Sequence, residues 1–178
     1  KSICFYCAFS RWIYDETKVL QWLNQIQNEV AAKSISSLKT LYFGGGTPNS
    51  LSEDDFIRLA SCFRSFLEDG YEWSVECNPE FVTQKQANLY HKLGVNRISL
   101  GVQTFSDKNL QEIGRKHSVQ SVYNAVSCFK KAGIENISID LIYGLPHQTL
   151  EDVKKDLEHA FSLNVCHLSI YSLQIEEN

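Results

Sequence analysis

The chain has 178 residues, 43% apolar and 21% charged, a composition typical of an ordinary globular protein with its own core. Its 17 basic residues against 21 acidic ones give a net charge of −4, and no basic stripe is present, which argues against a nucleic-acid partner. No apolar stretch approaches the roughly 20 residues of a membrane span. Without a visible signal peptide or a disulfide framework among the six cysteines, the sequence predicts a cytoplasmic protein.

The apolar spacing predicts helices and strands in alternation along the chain. The first helix carries an apolar face from Val19 to Val30, and the second is expected to carry one from Phe56 to Leu67. Later helices begin at Ser or Thr residues with a partner three positions on, as at Thr83 and Thr149. The predicted strands are Leu38–Phe43, Tyr71–Cys77, Arg97–Val102, Ile137–Tyr143 and His167–Ile175.

This alternation predicts an α/β fold in one domain, with a parallel sheet and helices outside it. The strands are typical of a barrel, and an open doubly wound sheet is the alternative. In both folds ligands bind at the carboxyl ends of the strands. Because polar or glycine-containing residues lie at the carboxyl end of every predicted strand, we expect these ends to form one pocket. The segments are Gly44–Pro48, Glu76–Pro79, Gly101–Thr104, Asp140–Pro146 and Ser172–Gln174.

Cys4 and Cys7 are the two closely spaced cysteines of the chain. They could be half of a zinc site, a redox pair or ligands of an iron–sulfur cluster. No second such pair completes a zinc site, and the intervening Phe5 and Tyr6 do not fit a thioredoxin-like pair. A cluster loop fits better, although spacing leaves the three readings open. The cysteines at positions 62, 128 and 166 are predicted to lie in the core or on helix faces.

Several polar residues near the strand ends are candidates for binding. Glu76 and Asp140 are expected near the end of the barrel interior, although Glu76 could instead cap a helix. Gln103 directly follows a strand and Arg115 follows a helix, where turn hydrogen bonding and a solvated cation are the alternatives. The three glycines of Gly44–Gly46 would let a ligand approach the backbone and use its N–H groups.

Five segments, in this order and spacing, resemble the radical S-adenosylmethionine (SAM) proteins of the oxygen-independent coproporphyrinogen III oxidase group (HemN and HemW). They are Cys4–Cys7, Gly44–Pro48, Glu76–Glu80, Arg97–Gln103 and Asp140–Pro146. The resemblance covers essentially the whole chain. It implies a partial barrel of six βα units, with parallel strands inside and helices outside, whose first strand is missing. It also implies an incomplete radical SAM core domain over residues 1–178, with the first cysteine of the CxxxCxxC loop falling before Lys1.

The resemblance further implies a set of cofactor ligands. Cys4 and Cys7 would bind a 4Fe–4S cluster, whose open iron would hold the amino and carboxylate groups of SAM. The cluster would supply the electron for the reductive cleavage of SAM. Tyr6 would lie near the adenine, and Gln174 matches a weaker contact. The other SAM contacts would be Gly45, Gly46, Thr47, Glu76, Gln103, Arg115 and Asp140.

Two features resemble the HemW branch of the group. Phe9 stands where the oxidases carry a further cysteine, and the closing run Tyr171–Glu177 is similar to that branch. The branch is regarded as heme-binding and chaperone-like, which implies heme or porphyrin, a heme-acceptor protein and an electron donor as partners. The alternative is an enzyme that decarboxylates coproporphyrinogen III to protoporphyrinogen IX without oxygen. A third hypothesis, an unrelated β/α-barrel enzyme with a chance cysteine pair, predicts neither iron nor SAM.

Overall fold

The structure, a computed structural model, describes Tyr6 and residues 14–174. In this part of the chain, one α-helix precedes each of five strands, except that two helices precede the fourth strand. The helices are α1 (Glu16–Ala32), α2 (Glu53–Ser61), α3 (Gln84–Leu93), α4 (Asp107–Glu112), α5 (Val119–Lys131) and α6 (Leu150–Ser162). The strands are β1 (Leu38–Phe43), β2 (Leu67–Cys77), β3 (Arg97–Gln103), β4 (Asn136–Tyr143) and β5 (His167–Ser172). The predicted alternation is therefore confirmed.

All five strands belong to one parallel sheet in the order β1-β2-β3-β4-β5. Each strand pairs with the next one along the chain, and helices occupy the crossovers. A doubly wound sheet would reverse its strand order at a switch point, and this order does not reverse. The predicted partial barrel is confirmed and the open-sheet alternative is wrong.

The two faces of the sheet differ in polarity because successive side chains of a strand point to opposite faces. The outer face forms the main core against the helices, and its fully buried members include Trp73, Val75, Ile98, Leu100, Ile137 and Ile139. The alternate positions Glu76, Ser99 and Asp140 form the inner, polar face. Strands buried on both sides would be apolar throughout. The inner face is therefore available for polar chemistry.

The second helix is shorter than its apolar stripe predicts. It ends at Ser61, and a 3₁₀ turn over Arg64–Phe66 leads to Leu67, where β2 begins. Phe63 continues the apolar stripe, but its ring packs edge-on against Phe43, with centroids 5.7 Å apart. The helical period thus continues by coincidence into residues that contact the sheet. Strand β5 also ends earlier than predicted, at Ser172.

The side chains that begin the helices behave as predicted. The hydroxyls of Ser52, Thr83 and Thr149 each accept a hydrogen bond from the backbone N–H three residues later. Such bonds satisfy N–H groups that have no partner within the helix. Within the described residues, no helix is long and apolar enough to cross a membrane.

One cysteine does not follow its prediction. Cys166, expected in the core or on a helix face, is an exposed residue directly before β5. Its thiol donates to the Glu135 carbonyl at 3.3 Å, and its N–H donates to the Ile137 carbonyl at 3.0 Å. The residue therefore helps to align the start of β5 with β4 and leaves the core to its apolar neighbours.

Candidate functional site

A cleft of about 1850 Å³ lies at the carboxyl ends of the strands. Each of the five predicted strand-end segments contributes residues to it, which confirms that they form one pocket. The cleft also collects every predicted SAM contact, so residues far apart in the chain meet in one place. These nine residues are Tyr6, Gly45, Gly46, Thr47, Glu76, Gln103, Arg115, Asp140 and Gln174. Their role in binding SAM stays a prediction, and Cys4 and Cys7 lie outside the described residues.

The segment Gly44–Pro48 after β1, here called the glycine loop, contains three glycines with two different structural roles. A Cβ on Gly44 would lie 2.6 Å from Cε1 of Tyr42 and 2.9 Å from Oε1 of Glu76, so this glycine makes room for the protein's own side chains. Among the described residues, a Cβ on Gly45 or Gly46 would meet no atom within 4 Å. Within the part of the chain that the structure describes, these two positions therefore leave space beside the backbone, as the close-approach argument predicts.

Glu76 at the end of β2 is held by two donors from the preceding strand and its loop. The Tyr42 hydroxyl donates to Oε1 at 2.7 Å, and the Gly45 N–H donates to Oε2 at 2.9 Å. Burial, followed by this hydrogen bond and the charge of Glu76, raises the pKa of Tyr42. Glu76 thus joins two strands and does not cap a helix. The Gly45 N–H, expected to serve a ligand, instead donates to the protein's own carboxylate.

Asp140 on β4 places a second carboxylate on the inner face. Its Oδ2 accepts from the Ser99 hydroxyl at 3.0 Å. Burial raises the pKa of Asp140, and the charge of Glu76 raises it further, whereas hydrogen bonds from Ser99 and Ser169 act in the opposite direction. Two carboxylates lining one cleft make this part of it suited to a cationic group.

Gln103 and Arg115 supply the remaining polar wall. Gln103 ends β3 with a backbone φ of 72°, a left-handed conformation that is uncommon outside glycine. Arg115 follows α4 and is 8% exposed, so it is not a solvated cation. Its Nη2 donates to the Gly101 carbonyl at 2.6 Å and to Oδ1 of Asn78 at 2.7 Å. These two neutral acceptors, from two segments, help to orient the guanidinium at the cleft, and its charge contributes to lowering the pKa of the nearby Glu80.

An apolar patch accompanies these charges. Tyr6 and Leu173 pack against a small buried cluster of Ile113, Ile142 and Leu145, separate from the main core. Tyr6, Ile142 and Leu173 also line the cleft. Gln174, which directly follows Leu173, is exposed. The cleft thus combines a charged region with a surface suited to a flat apolar ring.

Sequence reasoning singled out neither Tyr42 nor Asn78 as a site residue, although Asn78 lies within the predicted strand-end segment Glu76–Pro79. Tyr42 lies two residues before Gly44, where strand alternation places it on the inner face beside Glu76. Asn78 lies between Glu76 and Pro79, and its amide contacts both Arg115 and Thr47. Alternation could have identified Tyr42, whereas the contacts of Asn78 have no local signal. Among the described residues, no group of three His, Cys, Asp or Glu side chains could hold a metal ion.

The family model of the Radical SAM superfamily matches residues 1–160. The chain belongs to the radical SAM superfamily. The hypothesis of an unrelated barrel with a chance cysteine pair is therefore wrong. The radical SAM fold also explains why the cleft lies at the strand ends, since the family builds on a β/α barrel of this kind.

Two relatives of this radical SAM chain carry the name heme chaperone HemW. The Bacillus subtilis protein is 38% identical over 98% of this chain and 48% of its own length. The Lactococcus lactis protein is 40% identical over 99% of this chain and 47% of its own length. The chain thus spans about half the length of the curated relatives it matches.

A solved structure shows the same arrangement of elements. Coproporphyrinogen III oxidase (HemN) from Escherichia coli, described as a radical SAM enzyme, superposes with a TM-score of 0.89 at 26% identity. The superposition covers 97% of this chain and 42% of the oxidase chain. Both names that the sequence motifs suggested, HemW and HemN, therefore occur among the similar proteins.

Proposed function

We propose that this chain is the SAM-binding core of a HemW-type protein that binds heme and delivers it to acceptor proteins. Residues 1–178 would form one radical SAM core domain. The relatives named heme chaperone HemW, 38% and 40% identical over nearly the whole chain, support this choice. A heme-acceptor protein and an electron donor would be the partners, and the cytoplasm the location. Heme itself is assigned to no residue of the described part.

The observation that carries SAM binding is the polarity of the cleft. Glu76 and Asp140 offer negative charge to the sulfonium and ammonium groups of SAM. Arg115 offers a positive charge to its carboxylate. The apolar surface of Tyr6 and Ile142 suits the adenine, and no described residue fills the space beside Gly45 and Gly46. The residues present therefore fit each part of the cofactor.

Cys4 and Cys7 are the proposed ligands of a 4Fe–4S cluster, and Tyr6 between them lines the cleft. When bound, such a cluster supplies the electron for the reductive cleavage of SAM. The chain's own residues would hold SAM at its charged groups and shield it from water. Gln103 at its left-handed position and Thr47 in the glycine loop would complete the wall around the ligand.

The second candidate function is oxygen-independent oxidation of coproporphyrinogen III. The match to HemN over 97% of the chain favours it. Phe9, at the position where the resemblance expects a further oxidase cysteine, argues against it. The two functions share the SAM site and differ in whether a porphyrinogen is turned over.

Anaerobic cluster reconstitution of the protein with its complete cysteine loop tests the shared site. We expect a 4Fe–4S electron paramagnetic resonance signal that shifts on adding SAM. Cys7→Ser should abolish the cluster, whereas the matched control Cys166→Ser, at an exposed position outside the cleft, should keep it. A well-folded protein without a cluster, or a signal that SAM does not shift, would contradict the proposal.

The same preparation separates the two candidate functions. A heme chaperone should bind heme, transfer it to an apo-acceptor protein and leave coproporphyrinogen III unchanged. An oxidase should release carbon dioxide from coproporphyrinogen III in the presence of SAM and a reductant. Turnover of the porphyrinogen by the cluster-loaded protein would contradict the chaperone hypothesis and support the oxidase hypothesis.

A further inference from the structure

Asn78 connects three segments that surround the cleft. Its side-chain Oδ1 accepts from Nη2 of Arg115 at 2.7 Å, and its Nδ2 donates to Oγ1 of Thr47 at 3.2 Å. Its main-chain N–H donates to Oδ1 of Asn49 at 2.9 Å, and its carbonyl accepts from Nδ2 of Asn49 at 3.0 Å. Every polar group of Asn78 thus bonds to the loop after β1 or to the arginine after α4.

The glycine loop needs external support at Thr47. This residue has φ 85° and ψ 78°, a left-handed conformation that a β-branched side chain rarely adopts. Pro48 follows it, and a residue before proline favours extended conformations instead. A strained backbone of this kind persists only where its surroundings determine it. The hydrogen bond from Asn78 to the Thr47 hydroxyl is one of these determinants.

The other side-chain contact of Asn78 is the hydrogen bond that its Oδ1 accepts from Arg115. Its guanidinium is nearly buried, the Gly101 carbonyl and the Asn78 amide contribute to its orientation, and the Glu80 carboxylate already lies within reach of its charge. An aspartate at position 78 could make a similar hydrogen bond to Arg115, but it would add a negative charge beside the guanidinium. A neutral amide orients the cation without adding that charge.

We propose that Asn78 is a positioning residue for SAM, which aligns Thr47 and Arg115 and keeps position 78 neutral so that Arg115 attracts the ligand carboxylate. This inference rests on the proposed binding of SAM to the cleft. It assigns a role to a residue that is not itself among the SAM contacts implied by the family resemblance. It also gives the Asn49–Asn78 pair a purpose, since Asn49 fixes the backbone from which the Asn78 amide projects.

The test compares two ligands by calorimetric titration of the cluster-loaded protein. SAM carries the amino-acid group, whereas 5′-methylthioadenosine keeps the adenosine and lacks that group. For Asn78→Ala we expect SAM to bind about tenfold more weakly and 5′-methylthioadenosine to bind as in the wild type. For Asn78→Asp we expect a similar selective loss, with an unchanged melting temperature because the Thr47 hydroxyl can rotate to donate to the new carboxylate.

The matched control is Asn124→Ala, an exposed asparagine on α5 that bonds to Gln120 and lies outside the cleft. It should leave both affinities unchanged. Equal weakening of both ligands in the two Asn78 variants would indicate a general structural role and overturn the proposal. Wild-type affinity for SAM in both variants would also overturn it. A wild-type protein that does not bind SAM would instead overturn the proposed function, which separates the two failures.

Discussion

Two polar clusters hold the loops around the cleft, and they differ in charge and in position. The first is centred on Asn78, a neutral residue that lines the cleft. The second is centred on Asp156 of α6, a carboxylate that is 5% exposed and does not line the cleft. Asp156 accepts from the Thr104 hydroxyl, from the Phe105 N–H at 2.6 Å and from Nε2 of Gln148 at 3.3 Å.

This difference indicates that the Asp156 cluster stabilises the fold, whereas the Asn78 cluster orients residues that would bind the ligand. Thr104 directly follows the left-handed Gln103, so Asp156 holds a strained strand end from behind the sheet. Burial raises the pKa of Asp156, and the hydrogen bonds from Phe105, Thr104 and Gln148 offset part of this cost at a site away from the cleft. Beside the ligand, a further negative charge would compete for Arg115. The cluster behind the cleft should therefore affect stability, and the cluster in the cleft should affect binding.

The largest expected effect is on stability, from Asp156→Ala. The change leaves buried donors of Thr104 and Phe105 without an acceptor, which should lower the free energy of unfolding by about 3 kcal/mol. Urea denaturation measures this loss. The exposed neighbour Glu158→Ala on the same helix should change the free energy of unfolding by less than about 0.5 kcal/mol. Equal effects of the two variants would mean that the buried cluster does not stabilise the fold.

Glu76→Gln should have the largest effect on binding. It removes the charge that faces the cleft and disturbs the hydrogen bonds from Tyr42 and Gly45. We expect SAM to bind about 30-fold more weakly, equivalent to about 2 kcal/mol for a charged hydrogen-bonding group. Titration calorimetry checks this. Glu72→Gln, on the same strand but outside the cleft lining, is the matched control and should bind SAM as the wild type does.

Asp140 should make SAM binding depend on pH. Because burial raises the pKa of Asp140, acidification neutralises this carboxylate sooner than an ordinary aspartate. Affinity for the cationic ligand should then weaken by up to about tenfold per pH unit below the raised pKa. Titrations at several pH values measure the slope. Asp140→Asn should bind weakly with a flatter profile, and an unaltered profile would show that another group is responsible.

Lower pH, which should weaken SAM binding through Asp140, should through the same carboxylate increase the stability of the fold. The folded protein holds the Asp140 proton more tightly than the unfolded chain, because its folded pKa is raised. Its contribution to stability therefore decreases as the pH rises from the ordinary aspartate value through the raised pKa. Relative to wild type, Asp140→Asn should gain stability above that window. Urea midpoints of the two proteins at matched pH values check the sign.

The smallest expected effects come from removing one hydroxyl, either from a tyrosine in the cleft or from a tyrosine that packs against the core. Tyr42→Phe removes a donor to Glu76 and should weaken SAM binding about fivefold, or about 1 kcal/mol. Tyr71→Phe removes a similar hydrogen bond, to the Gly94 carbonyl, and should lower stability without changing SAM affinity. Binding and urea titrations of both variants test the distinction. If Tyr71→Phe weakened binding as much as Tyr42→Phe, the two regions would not act separately.

Local patterns predicted most of the helices and strands. They failed where residues that are apolar for tertiary contacts happen to continue the apolar spacing of a neighbouring element. Strand ends such as Phe43 and Cys77 were identified because apolar runs stop there at glycine or polar residues, whereas β5 ends at Ser172, before the predicted Ile175. The extension of α2 to Leu67 was wrong because Phe63 is apolar for its contact with Phe43. Cys166 was misplaced because its neighbours fit an apolar pattern while its own position is exposed.

The sequence by itself determined the parallel α/β architecture, the face of the sheet that is polar and the residues that reach the strand ends. Periodicity and turn chemistry are local properties, so one chain is enough to recognise them. The tertiary structure alone decided how those residues are held. Asn78 meets Arg115 across 37 positions of sequence, and Asp156 meets Thr104 across 52. Such hydrogen bonds depend on side-chain geometry across folded loops, which no local pattern encodes.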